Sequence, residues 1–287
     1  MGGIERGAAF LELGCYGFKD LIGCMTCESY ILLNFKNPNS KHLFTEEYHF
    51  EKNTYIWVFK IQNEKYMNDL ELSACSPLPV NPNSFNPNVI LPYGLEVEHI
   101  KQSMLDFTDF LGFINQQLHT REMPRLECFL MSANFSSIVG EFMNMTIPKY
   151  CPHLIKNRYH NGHPDLVPTG LFPNDAVQHA DEGIEIKGSR YASGWQGHNP
   201  ESIFLMVFNF DSNTSADLQK GNAPKSFRFA GVYAAKLEPD DWTFSGRSAT
   251  SRRTITASVN RKGMNKMLGN WIYRDTTTQI QATSAPD

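Results

Sequence analysis

Long apolar runs are missing from this chain. No stretch approaches 18 uninterrupted apolar residues, so the sequence predicts no membrane-spanning helix. The opening MGGIERGAAF lacks a basic region followed by an apolar block, which argues against a secretory leader and for a cytoplasmic setting. Cysteine is sparse: Cys15, Cys24, Cys27, Cys75, Cys128 and Cys151 are scattered through 287 residues, mostly among apolar neighbours. That spacing excludes a disulfide framework and predicts buried, reduced thiols. Cys24 and Cys27 form a CxxC pair with no second pair, and His42 and His49 are wrongly spaced for a compact zinc finger. An excess of positive charge is also lacking. With 26 Lys and Arg against 30 Asp and Glu, the net charge of −4 excludes a protein that coats nucleic acid through overall charge.

What is present is enough chain for a substantial core, and 41 % hydrophobic and 20 % charged residues, as in ordinary globular proteins. Residues 1–95 read as an N-terminal accessory region, separate or part of the same domain. Tyr30–Phe35 and Thr54–Ile61 are predicted strands, and Cys75–Pro92, with five prolines, is a loop. From residue 96 the pattern sharpens. Ile100, Met104, Phe107, Leu111, Ile114 and Leu118 recur at spacings of four and three, predicting a core-packing helix over Glu96–Thr120. A strand over Glu127–Met131 and a helix over Asn134–Met145 follow. Phe135, Ile138, Val139 and Phe142 form that helix's buried face. Ser202–Phe210 is apolar almost throughout, which predicts a strand covered on both faces. Phe227–Leu237 is a further strand, and the polar tail from Thr276 predicts fraying. Together these elements make an α/β sheet core.

The chemistry concentrates between these elements. Pro164-Asp165 is followed twenty residues later by Glu185-Ile186-Lys187, inside the glycine-bounded strand GIEIKGS. Alternation along a strand puts Glu185 and Lys187 on one face, about 7 Å apart or two residue rises, with Ile184 and Ile186 pointing into the core. Two carboxylates suit a hard divalent cation such as Mg2+. Asp165 and Glu185 are the candidate ligands, with the Ile186 carbonyl as a third. Lys187 would contact an attacking water and a phosphate.

Proline-aspartate, a gap, and glutamate-x-lysine on an apolar strand resemble the PD-(D/E)XK nuclease superfamily, and within it the type II restriction endonucleases. The resemblance covers roughly Ser132–Ala235. It implies a restriction-endonuclease-like central mixed sheet flanked by helices, with residues 96–287 as the nuclease domain. It also implies Mg2+, cleavage of duplex DNA at a short specific sequence, a homodimer and a bacterial setting. In that family the preceding helix often supplies a glutamate near the metal, for which Glu141 is the candidate.

Two flanking segments are candidate DNA contacts. In the loop after Lys187, Arg190 could grip guanine or phosphate, and the amides of Gln196 and Asn199 could pair with adenine, while Trp195 is read as an anchor. The segment 245–274 holds Arg247, Arg252, Arg253, Arg261, Lys262, Lys266 and Arg274 and no acidic residue, which favours phosphate contact over a solvated loop. Other readings stand beside this one. A structure-selective or repair nuclease shares the same motif, and a catalytically silent DNA-binding protein shares the fold. His163 and Asp165 form an HxD which, with His179 or His198, could build the facial triad of an Fe(II) oxygenase. Otherwise His163 is a neighbour of the carboxylate site or a plain loop residue.

Overall fold

The apolar stripe beyond residue 96 folds as its spacing predicts. In the computed structural model, which describes residues 66–197, 199–245 and 256–275, helix α1 spans Val97–His119. It buries Ile100, Met104, Phe107 and Leu111 and leaves Ile114 and Leu118 half-buried. Helix α2 spans Ser132–Tyr150, longer than the apolar face alone suggested, and Pro148 falls in its last turn. Phe135, Val139, Met143 and Ile147 line its buried side. The two helices meet through Phe107 and Phe142, edge to face at 5.2 Å. The expected strands Tyr30–Phe35 and Thr54–Ile61, the CxxC pair, His198, Arg247, Arg252 and Arg253, and the tail from Thr276 lie outside the described residues.

Glu127–Met131 is not a strand. Leu126–Phe129 forms a single helical turn, because a buried polar cluster fixes the chain there. Arg125, with a side chain only 2 % exposed, pairs with Glu127 and Glu71, each at 2.8 Å. Its guanidinium also donates to the Asn213 side chain and the Lys225 carbonyl. The Asn115 side chain accepts the Leu126 N–H at 2.8 Å and donates to Glu127. Unpaired, these groups would be costly to bury, and their geometry outweighs local β preference.

The strands are β1 (Leu154–Lys156), β2 (Leu166–Pro168), β3 (Ile184–Ser189), β4 (Gln196–Gly197), β5 (Ile203–Asp211), β6 (Arg228–Leu237), β7 (Trp242–Ser245), β8 (Thr256–Val259) and β9 (Trp271–Arg274). Six form a mixed sheet in the order β1-β2-β3-β5-β6-β9. Only the β3–β5 pair is parallel. The others make a smaller sheet, β4-β8-β7. One face of the large sheet packs Ile184, Ile186, Met206 and Phe208 against α1 and α2. The other face packs Ile203, Leu205 and Val207 against Trp195, Trp242, Val259 and Met267. Eight successive residues of β5, Ile203–Phe210, are therefore buried, as the continuous apolar run predicted. The molecule is an α/β protein with a mixed sheet flanked by helices.

Part of the N-terminal region belongs to this core. Cys75, Val80 and Leu95 are buried, the Leu78 N–H donates to the Phe227 carbonyl, and the Asn86 N–H donates to the Ile272 carbonyl. The basic segment is not a plain loop where described. Its few apolar residues suffice to build β8, helix α3 (Arg261–Gly269) and β9, with Ala257, Val259, Met267 and Ile272 buried. Cys75, Cys128 and Cys151 are free and buried, and burial pushes the thiols of Cys75 and Cys128 up to about 11. Among the described residues no helix is long and apolar enough to cross a membrane.

Both glycines bounding the β3 motif are required by their surroundings. Gly183 sits at φ +141°, and a Cβ there would lie 2.3 Å from the Leu166 carbonyl oxygen. A Cβ on Gly188 would lie 2.3 Å from the Ser136 carbonyl oxygen, so this glycine lets α2 lie directly on β3.

Candidate functional site

The site forms where β2 and β3 part. The two strands share one pairing, Leu166 with Ile184, and the ladder then opens. Into the opening comes the Asp165 carboxylate, whose Oδ2 accepts the Ile186 N–H at 2.8 Å. A strand residue directs its N–H and C=O to the same side, so the Ile186 carbonyl faces this opening too. Glu185 and Lys187 pair in register with Leu205 and Val207, and stand with them on the face opposite α1 and α2. This is the predicted alternation.

Glu185 is 6 % exposed and holds two cations. The Lys187 ammonium contacts its Oε1, and His163 Nδ1 lies 3.0 Å from its Oε2. On the other side of the ring, His163 Nε2 lies 3.3 Å from Glu201 Oε2. These are ion-pair distances without hydrogen-bond alignment, and both His163 Nε2 and Glu185 Oε2 are buried with no hydrogen-bond partner. His163 is fixed by its backbone: its N–H donates to the Gln178 carbonyl, and its carbonyl accepts the Ala180 N–H. His179 stacks on it with ring centroids 5.3 Å apart. Buried Asn157 ties these loops together, donating to the Pro164 and Val177 carbonyls and accepting the Tyr159 and Val177 N–H groups.

The charges are strongly coupled. Burial, and then the negative charge of Glu185, raise the Asp165 carboxyl to about 7, against the opposing pull of the Ile186 N–H and Lys187. Burial would raise Glu185 as well, but His163 and Lys187 outweigh it and hold Glu185 at about 2. Burial alone would lower His163, yet Glu185 and Glu201 drive it up to about 10. Lys187 is raised in the same way, with Glu185 overcoming the burial of its ammonium. One carboxylate thus attracts two cations while the neighbouring carboxyl resists ionising beside it.

The other candidates divide. Glu141 lies on the exposed face of α2, paired with Lys156 at 2.6 Å. Arg190 is not available to grip guanine or phosphate: its guanidinium donates to the Ser212 and Asn213 carbonyls and lies 5.2 Å from the Phe210 ring centroid. The two terminal nitrogens of this guanidinium tie the loop to the protein, while its Nε is buried without a hydrogen-bond partner. Gln196 and Asn199 are exposed, whereas Trp195 is buried, with its indole N–H donating to the Tyr191 carbonyl. Arg261 is exposed at the start of α3. Lys262 and Lys266 both face Asp241, an acid supplied from outside the basic segment. Arg274 covers Trp271 and donates to the Leu268 carbonyl. Among the described residues the HxD of the oxygenase reading does not converge, because Asp165 turns to the Ile186 N–H while Glu201 joins His163 and His179. Glu201 carried no signal in the sequence, standing 38 residues from His163 and outside any motif.

No family model, curated protein or solved structure matches this chain. Asp165, Glu185 and the Ile186 carbonyl offer three oxygen donors at the head of one strand, the donor type that Mg2+ takes. The residues fit such an ion: one oxygen of Glu185 lacks a hydrogen-bond partner, and a divalent cation would relieve the repulsion between two buried carboxyl groups.

Proposed function

We propose that this protein is a Mg2+-dependent deoxyribonuclease that hydrolyses phosphodiester bonds of duplex DNA, with the specificity and homodimeric form of a type II restriction endonuclease. The observation that carries this reading is the insertion of Asp165 into the β2–β3 opening beside the Ile186 carbonyl, with Glu185 and Lys187 adjacent on β3. A mixed sheet flanked by helices is also what the PD-(D/E)XK resemblance implies.

The division of labour follows from position. Asp165, Glu185 and the Ile186 carbonyl hold the cation, which when bound supplies Lewis acidity and a more acidic water. Lys187, 31 % exposed with its ammonium on Glu185, would orient the attacking water and stabilise charge developing on the scissile phosphate. Asp165 is anchored through Ile186, so its carboxylate is placed before substrate arrives. Exposed Gln196 on β4 and exposed Asn199 just after it supply base contacts. A two-fold dimer presents one such site to each strand of a palindromic sequence.

Incubation with plasmid DNA and Mg2+ tests this reading. Discrete fragments are expected from the native chain, with none from Lys187→Ala or Asp165→Ala. A smear independent of sequence would favour a repair or structure-selective nuclease. Absence of cleavage with any divalent metal would overturn the nuclease assignment.

A further inference from the structure

The carboxylate site does not use every metal-binding group nearby. His163, His179 and Glu201 each offer one ligand atom, and all three atoms lie within 4.8 Å of one another. Two ligands of one zinc-class ion stand at most about 4.2 Å apart, twice a bond of about 2.1 Å. In a tetrahedral site two ligands stand about 3.4 Å apart. His163 Nε2 and Glu201 Oε2 already lie at 3.3 Å, so the closure, up to about 1.4 Å, falls to His179. His179 is exposed and can make that movement, while His163 and Glu201 are largely buried.

A second observation points to a missing ligand. His163 Nε2 is buried 3.3 Å from Glu201 Oε2, an ion pair without hydrogen-bond alignment, and a cation held there would take the place of the proton that the two carboxylates keep on the ring. Its other ring nitrogen, Nδ1, lies 3.0 Å from Glu185. A metal-bound imidazole usually shows this arrangement, with one nitrogen on the ion and the other held by a carboxylate that fixes the ring. The donor chemistry also differs from the neighbouring site. Three oxygens select Mg2+, whereas two imidazoles and one carboxylate select late first-row ions.

We propose that His163, His179 and Glu201 form a second cation site, for a divalent ion of the zinc and cobalt class, with Glu185 orienting His163 from behind. Three protein ligands leave a coordination position open, as in catalytic rather than structural zinc centres. Exposed His179 places that position toward solvent, where a water or a phosphate oxygen can occupy it. Glu185 then belongs to both sites, as a ligand in one and an orienting group in the other.

The test is a titration of the full-length protein with Co2+ in excess Mg2+, which occupies the oxygen site, read by visible absorption and by calorimetry. The native chain should bind one equivalent with nitrogen–oxygen ligand-field bands. His179→Ala and Glu201→Gln should each weaken binding by about 100-fold or more, and Glu185→Gln by about 10–100-fold. Asp165→Asn should bind Co2+ as the native chain does, even where it abolishes Mg2+-dependent cleavage, so failure here is distinguishable from failure of the nuclease reading. Because His179 is exposed, its truncation leaves the fold intact, which circular dichroism without metal will verify. Unchanged Co2+ affinity in His179→Ala, or near-ultraviolet thiolate charge transfer marking cysteine ligands, overturns the second site.

Discussion

Lys187 stands 31 % exposed against a carboxylate that is 8 % exposed, so its partner is fixed while its own ammonium can turn toward substrate. On the proposed nuclease reading, replacing it by alanine removes transition-state stabilisation, and cleavage should fall by about 10²–10³-fold with DNA binding retained. Initial rates set beside gel-shift affinities will separate the two effects. Arg125 has a different role, far from this chemistry. It is the centre of a buried polar cluster, and Arg125→Ala leaves the fully buried Glu127 carboxylate without its ion-pair partner. That substitution should destabilise the fold by about 3–5 kcal/mol, read from chemical denaturation. Residue identity was the part of the site most open to sequence reasoning, since Asp165, Glu185 and Lys187 stand in a recognisable order. The internal anchoring of Arg190 was not legible, because nothing in SRYASGW reveals that the Ser212 and Asn213 carbonyls await its guanidinium.

Helices and strands were legible where one periodicity ruled: α1 from its three-and-four spacing, β5 from its unbroken apolar run, β3 from its alternation. They were not legible where tertiary polar groups decided, as at Leu126–Phe129, or where a few well-placed apolar residues sufficed, as in α3 and β8. Contact between elements rests on small features. Gly188→Ala would force the Ser136 carbonyl away from β3, and overpacking of this kind costs about 1–3 kcal/mol. A lowered melting temperature, together with weaker nuclease activity as β3 shifts, is the expected outcome. Helix α3 is clamped by Asp241, whose side chain is fully buried against Lys266 and Lys262. Burial acts to raise this carboxyl, but Lys266, the Glu238 N–H and Lys262 together hold it below its ordinary 3.8. An unfolded aspartate then binds its proton more readily than the folded one. The clamp's contribution is present above that ordinary value and is lost as pH falls through the lower folded value. Asp241→Asn should therefore reduce stability near neutrality and flatten the acid limb of a pH–melting curve.

At the scale of the whole molecule, the α/β class and the sheet core could be read from the order of elements. The pairing order β1-β2-β3-β5-β6-β9 could not, since no local pattern states which strands are neighbours. Nor could the meeting of His163, His179 and Glu201, which depends on loops tied by Asn157. The part of the sheet that opens after Leu166 and Ile184 has a dynamic corollary. An amide in a regular ladder is shielded from solvent deuterium by its neighbouring strand, and exchanges only when that strand lifts. The Ile186 amide is shielded by a single side-chain oxygen instead. Its exchange rate should rise in Asp165→Ala while the Met206 and Val207 amides of central β5 keep theirs. One backbone proton thus becomes a clock for how often the Asp165 side chain leaves its post.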